Sequence, residues 1–177
     1  MKDYVIGGEK DKSGFTKIPW ALIRDLTNRA KTSSVKRELY LLHQLDKKTN
    51  TSKDPIQKLI LAVEKGTYLI PHKHNLSKTE TTICIQGKVA VLIFDDRGRL
   101  REYCIIGPRE DFLGTKTNTD NYHTSIALSN KSVIVEFTEG PYDANTHKQR
   151  AAWAPVEGSN EGKKWVKELE IKIKELS

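Results

Sequence analysis

The sequence predicts an all-β barrel or sandwich with one helix before it and one after. From Pro55 to Gly140 the chain is a succession of short runs rich in Ile, Val, Thr and Tyr, broken by Gly, Asp, Asn and Pro. Many short strands at such spacing belong to antiparallel all-β folds rather than to a parallel α/β sheet. A segment of helical period stands on either side of this region. With 177 residues, the chain can bury one substantial core, and a single domain over 1–177 is expected.

Residues 1–15, rich in Gly, Lys and Asp, read as a loose tail. A helix follows over 18–31: Pro19 suits a first turn, and Leu22, Ile23, Leu26 and Ala30 recur at three- and four-residue steps. The β region is expected over 37–140. RELYLLHQL (37–45) fits either a helix or a strand; its nine residues and the polar loop after it favour strand. IQKLILAV, GTYLIPHKH, ETTICIQGKVAVLIFDD, LREYCIIG, HTSIALS and SVIVEFTEG supply the remaining strands. DDRG between two of them reads as a hairpin turn ending in Gly98. Over 161–176, Trp165, Leu169, Ile173 and Leu176 form one apolar stripe on an otherwise charged segment, as in an amphipathic helix packed on the outside of a sheet.

Composition removes several functional classes. Thirty basic against twenty-three acidic residues give a net charge of +7, but the lysines are spread over the whole chain and no nucleic-acid module accompanies them, so no nucleic-acid partner is expected. No apolar run approaches membrane-span length and MKDYVIGGEKDKSG lacks a signal-peptide core, so the expectation is a cytoplasmic protein without a membrane partner. Cys84 and Cys104 form no C-x-x-C pair and are expected as reduced thiols. P-loop, G-x-G-x-x-G and G-x-S-x-G patterns are all missing, which removes phosphate cradling and serine hydrolysis.

What remains is a histidine constellation. His72 and His74 stand two apart in PHKH, Glu80 follows, and His123 begins a later β-like run. Alternate strand residues share a face, so His72 and His74 can point the same way. A carboxylate and a third imidazole from neighbouring strands would complete a three-His, one-Glu set with open positions for solvent or substrate. The bland alternative is a polar barrel lining without a metal. Neutral imidazole suits Fe, Mn, Ni, Zn or Cu, and the ligand types do not choose among these divalent transition metals.

The spacing G66-TYLIP-H72-K-H74-NLSKT-E80-TTICIQ-G87 resembles the first signature of the cupin superfamily: glycine, five residues, H-x-H, three or four residues, Glu, six residues, glycine. Here five residues separate His74 from Glu80, and the usual P-x-G turn before the last histidine, His123, is replaced by TKTNTDNYH. DPIQKLILAVEKGTYLIPHKH, FDDRGRL, EFTEGPYDAN and AAWAPVEGS further resemble segments of the WbuC-type cupin metalloproteins, a likeness running from about Ile18 to Trp165. The resemblance implies a cupin double-stranded β-helix, a jelly-roll barrel holding a metal. It also implies action on a small polar, sugar-like molecule in surface polysaccharide biosynthesis, with isomerisation or epimerisation as the first choice. A non-catalytic binding or sensing cupin and a metal-dependent dioxygenase are the alternatives. Cupins often dimerise through sheet edges, and the charge pattern does not oppose a homodimer.

Strand parity predicts the cavity lining. If His72 and His74 face inward, so do Tyr68 and Ile70; if Glu80 does, so do Thr82 and Cys84. Tyr68 and His43 are the catalytic candidates, as donors or proton carriers beside the metal, although packing is the commoner role for both residue types. Cys84 reads as a small buried hydrophobe. His147 is expected on a surface loop. GPYD and WAPVEG offer further candidates in Tyr142, Asp143, Trp153 and Glu157, the first two expected at the barrel rim; the favoured alternative is that this segment laces across the sheet with Trp153 as a packing staple.

Overall fold

The computed structural model describes residues 17–46, 48–74, 78–118 and 120–176. The expected tail over 1–15 therefore lies outside the described residues. Two five-stranded antiparallel sheets face each other, with helices on their outer sides. The first sheet contains β1 (Arg37–Leu41), β3 (Ile56–Val63), β10 (Ser132–Glu139), β5 (Thr79–Gln86) and β8 (Gly114–Asn118), in that spatial order. The second contains β12 (Lys148–Arg150), β4 (His72–His74), β9 (Tyr122–Ala127), β6 (Val89–Phe94) and β7 (Leu100–Ile106). A two-stranded ribbon pairs β2 (Thr51–Ser52) with β11 (Tyr142–Asp143). Sequence neighbours are repeatedly separated between the two sheets, which makes this an all-β jelly roll with flanking helices, as expected.

Alternation along the strands divides the apolar residues into three layers. Leu61, Val63, Cys84, Val89, Val91, Ile106, Ala127 and Ile134 pack between the sheets. The opposite faces of the same strands are covered by helices. α1 (Trp20–Thr32) lays Ile23, Leu26 and Ala30 on Tyr40, Ile60, Ala62 and Val133 of the first sheet. α2 (Asn160–Leu176) lays Leu169 and Ile173 on Ala90, Leu92, Phe94 and Ile126 of the second. Each helix thus presents the stripe its period predicts, except that Leu176, at the end of α2, is exposed.

Three boundaries depart from expectation. Pro19 is the residue before α1, with extended backbone, and the helix starts at Trp20. β1 stops at Leu41, four residues short of Leu45, because the His43 side chain replaces a backbone partner: its Nδ1 accepts from Lys58 N–H at 3.0 Å. The β region does not end at 140, since Lys148–Arg150 pairs with His72–His74 as an edge strand.

Turns are built where the residues demand them. In the hairpin between β6 and β7, Asp95 Oδ1 accepts from the backbone N–H of Arg97 and Arg99, both at 2.9 Å. Gly98 takes φ +78° there, a left-handed conformation that side chains disfavour. Cys84 and Cys104 are both free thiols, and burial pushes Cys84 up to about 11. No helix among the described residues is long and apolar enough to cross a membrane.

Candidate metal centre

The centre is assembled by ladder pairing. β4 is only three residues long, and His72 lies directly opposite His123 of β9, so the two side chains leave the sheet on the same face. His74, two residues on, shares that face. The ring centroids are 4.6 Å apart for His72 and His123, 5.1 Å for His72 and His74, and 5.4 Å for His74 and His123. One nitrogen from each of these three imidazoles lies within 4.8 Å of the others.

Glu80 enters from the facing sheet. Its Oε2 is 3.2 Å from His74 Nε2 and its Oε1 is 3.7 Å from His123 Nε2. Thr138 of β10, directly opposite Glu80 in the ladder, donates its hydroxyl to Oε2 at 3.1 Å. The five residues between His74 and Glu80 leave that carboxylate beside the imidazoles. The sequence-named set His72, His74, Glu80 and His123 is therefore one cluster.

The proton placement suits a metal ligand set. His72 Nδ1 lies 3.1 Å from the Ile70 carbonyl and His123 Nδ1 3.0 Å from the Asn121 carbonyl. A carbonyl can only accept, so each Nδ1 carries the hydrogen and each Nε2 presents a lone pair. Those two Nε2 atoms are buried without a hydrogen-bond partner, as is Nδ1 of His74, whose Nε2 faces Glu80 Oε2. Leaving such an atom unpaired costs about 1–3 kcal/mol, and a divalent ion would meet all three rings at once. Burial holds His72 and His123 below the ordinary imidazole range, with Lys148 adding to the effect at both. For Glu80, burial acts to raise the carboxyl, but the His74 imidazole beside it and the charges of His123, Lys148 and His72 outweigh burial and hold it below the usual carboxylate range. An ionised carboxylate is the form that binds a metal.

The two catalytic candidates are engaged elsewhere. Tyr68 donates its hydroxyl to the Pro155 carbonyl at 2.7 Å and sets its ring edge-on to Trp165 of α2, 5.6 Å between centroids. Residues 64–71 belong to no ladder, so parity cannot be extended back from His72, and Leu69 rather than Tyr68 or Ile70 packs against the inter-sheet core. His43 is committed to the Lys58 backbone. On β5 parity does extend: Glu80, Thr82 and Cys84 are all buried, alternating with more exposed neighbours.

Four residues bear on the centre without having been named for it by the sequence. His147, expected on the surface, is half-buried with its ring 4.5 Å from His74 and 4.7 Å from Tyr142. Lys148 follows it, directly opposite His74. Glu136 and Thr138 are the other two, polar residues on the face of β10 that also carries Ile134. Their only signal in the sequence is that they interrupt the apolar alternate positions of SVIVEFTE. Two cavities open on these strands. One of about 210 Å³ is lined in part by Ile93 and Thr117, the ladder partners of His123 and Glu80. The other, of about 620 Å³, includes Lys148 and Glu136 in its lining.

A family profile described as a domain of unknown function, DUF6016, matches residues 18–106, half of the chain. The chain belongs to the DUF6016 family. The matched segment of this DUF6016 chain contains His72, His74 and Glu80, while His123, Glu136 and Lys148 come after it. No curated protein matches. Among solved structures, an HTH_3 family transcriptional regulator from Vibrio cholerae is similar at 14% identity and a TM-score of 0.47, over 67% of this chain and 60% of that one. Oxalate decarboxylase from Bacillus subtilis is similar at 16% identity and 0.44, over 54% of this chain and 24% of that one. The Cupin_2 domain of an XRE family transcriptional regulator from Enterobacter cloacae is similar at 15% identity and 0.44, over 60% of this chain and 98% of that one. The DUF6016 chain thus spans less than two thirds of the length of the first two.

Proposed function

We propose that this chain is a cupin metalloprotein that holds one divalent transition metal through His72, His74, Glu80 and His123 and presents it to a small molecule. The observation that carries the reading is the meeting of three imidazoles, with one nitrogen of each within 4.8 Å of the others and with Nε2 of both His72 and His123 buried without a hydrogen-bond partner, beside an ionised carboxylate. When bound, such an ion supplies Lewis-acid polarisation of a carbonyl or hydroxyl. The chain's own part is to hold the rings in the ligand tautomer through Ile70 and Asn121, to aim Glu80 through Thr138, and to keep the site inside the barrel. A sugar-like substrate and a place in surface polysaccharide biosynthesis are supported by the likeness of GPYD and WAPVEG to the WbuC-type proteins. A homodimer through sheet edges belongs to the same reading.

Elemental analysis of untagged protein tests it: about one transition metal per chain is expected, and the double variant His72→Ala, His74→Ala should carry none. Wild-type protein that holds no metal and takes none up on titration would remove the reading.

A second reading, a binding or sensing cupin without turnover, is favoured by one observation. Tyr68 and His43, the proton carriers that catalysis would call on, are both bonded to backbone elsewhere. Release of product from a panel of sugars and sugar nucleotides by metal-loaded protein would decide against it.

A further inference from the structure

The cavity of about 620 Å³ lies between the α1–β1 corner and the open edge of the barrel, and the metal reading does not use it. Its apolar wall is Leu39, Leu59, Leu61 and Leu69. Most of its charged lining is neutralised within the protein. Arg29 pairs with Asp25 and Glu38, and Arg37 is held by Glu157 and by the Tyr68 carbonyl. Lys148 and Glu136 differ: among the described residues neither side chain has a hydrogen bond or an ion pair.

Both stand between the histidine cluster and the cavity, one on each sheet. Lys148 lies opposite His74 in the β12–β4 ladder and shares its face. Glu136 lies opposite Thr82 of β5 and two residues before Thr138, which puts it on the face of Thr138 and Glu80, one strand step of about 7 Å from Thr138.

We propose that this cavity binds a small monocarboxylate with an apolar body, its carboxylate held by Lys148 and Glu136 beside the histidine cluster and its hydrocarbon part lying on the four leucines. The proposal extends the metal reading and rests on it only for what the polar end meets. Burial pushes Glu136 up to about 8, with the charge of Glu80 adding to the rise and Lys148 acting against it. At neutral pH Glu136 therefore retains its proton and donates, and the two polar groups offer an anion an ammonium and a carboxyl hydrogen. The leucines offer hydroxyl groups no partner, which disfavours a fully hydroxylated sugar in this part of the site.

Calorimetric titration with hexanoate, hexanol and glucose tests the proposal, on wild-type and Lys148→Gln protein, with metal content measured in each sample. Lys148 is exposed and, among the described residues, outside every ion pair, so its replacement leaves the fold in place. Saturable binding of hexanoate is expected, at least about tenfold tighter than hexanol or glucose and weakened about tenfold or more in Lys148→Gln at unchanged metal content. Hexanol or glucose binding as tightly as hexanoate, no hexanoate binding, or an unchanged affinity in Lys148→Gln would overturn the proposal. Failure of the metal reading shows separately, as protein without metal, whatever the titrations give.

Discussion

Thr138 donates its hydroxyl to Glu80 Oε2 at 3.1 Å from the neighbouring strand, directly opposite it in the ladder. One carboxylate oxygen is thereby fixed from behind while both oxygens face imidazoles. Thr138→Val keeps the shape and removes the donor. Outer partners of this kind are worth about 10–100-fold in metal affinity, and a loss of that size is expected in chelator-competition titration. Equal affinity in the two proteins would show that Glu80 is aimed by packing alone.

The DDRG hairpin is fitted to an aromatic ring. A Cβ on Gly98 would stand 2.8 Å from Trp153 Cδ2, and the backbone there already has φ +78°. Gly98→Ala should cost at least about 1 kcal/mol, read as a lower urea midpoint together with a changed near-ultraviolet signal from the displaced indole. An unchanged midpoint would mean that Trp153 moves aside freely.

Asp95 is half-buried, and its carboxyl is held below the usual carboxylate range, first by the Arg99 backbone N–H and also by the Arg99 side chain and Arg97. A lowered value in the folded state contributes stability above the ordinary carboxylate pKa, and that stability is lost as pH falls through the lowered value. Asp95→Asn should lower Tm by about 1–3 °C at neutral pH and lower it less in strong acid. Thermal melts across pH check the convergence; a difference that grows in acid would contradict it.

On α2, Ile173 is 1% exposed and Ile171 56% exposed. Ile173→Ala should cost about 2–5 kcal/mol, whereas Ile171→Ala should stay within about 0.5 kcal/mol. Chemical denaturation of the two variants compares them directly, and equal losses would mean that α2 does not pack through the expected stripe.

Much of the fold was legible because burial imposes period. Leu26 and Ala30, or Leu169 and Ile173, can meet a sheet only along one helical stripe, and Glu80, Thr82 and Cys84 can share a face only at alternate strand positions. The histidine cluster was legible for the same reason, since two of its members are adjacent alternates. Parity failed at Tyr68, where no ladder holds the chain and packing on Trp165 turns the ring away. It could not reveal Lys148, because an edge strand of three polar residues has no apolar pattern to announce it. His147 escaped similarly: its burial comes from Tyr142 and His74, which are close only in space.

The cluster draws its side chains from both layers of the sandwich, with His72, His74 and His123 on one sheet and Glu80 on the other. An ion bound by all four would be a removable rivet between layers otherwise joined by apolar contact and loops. Its affinity would then contribute to the free energy of separating them. Chelation should leave the amides beneath α1 slow to exchange while those of β4 and β5 quicken.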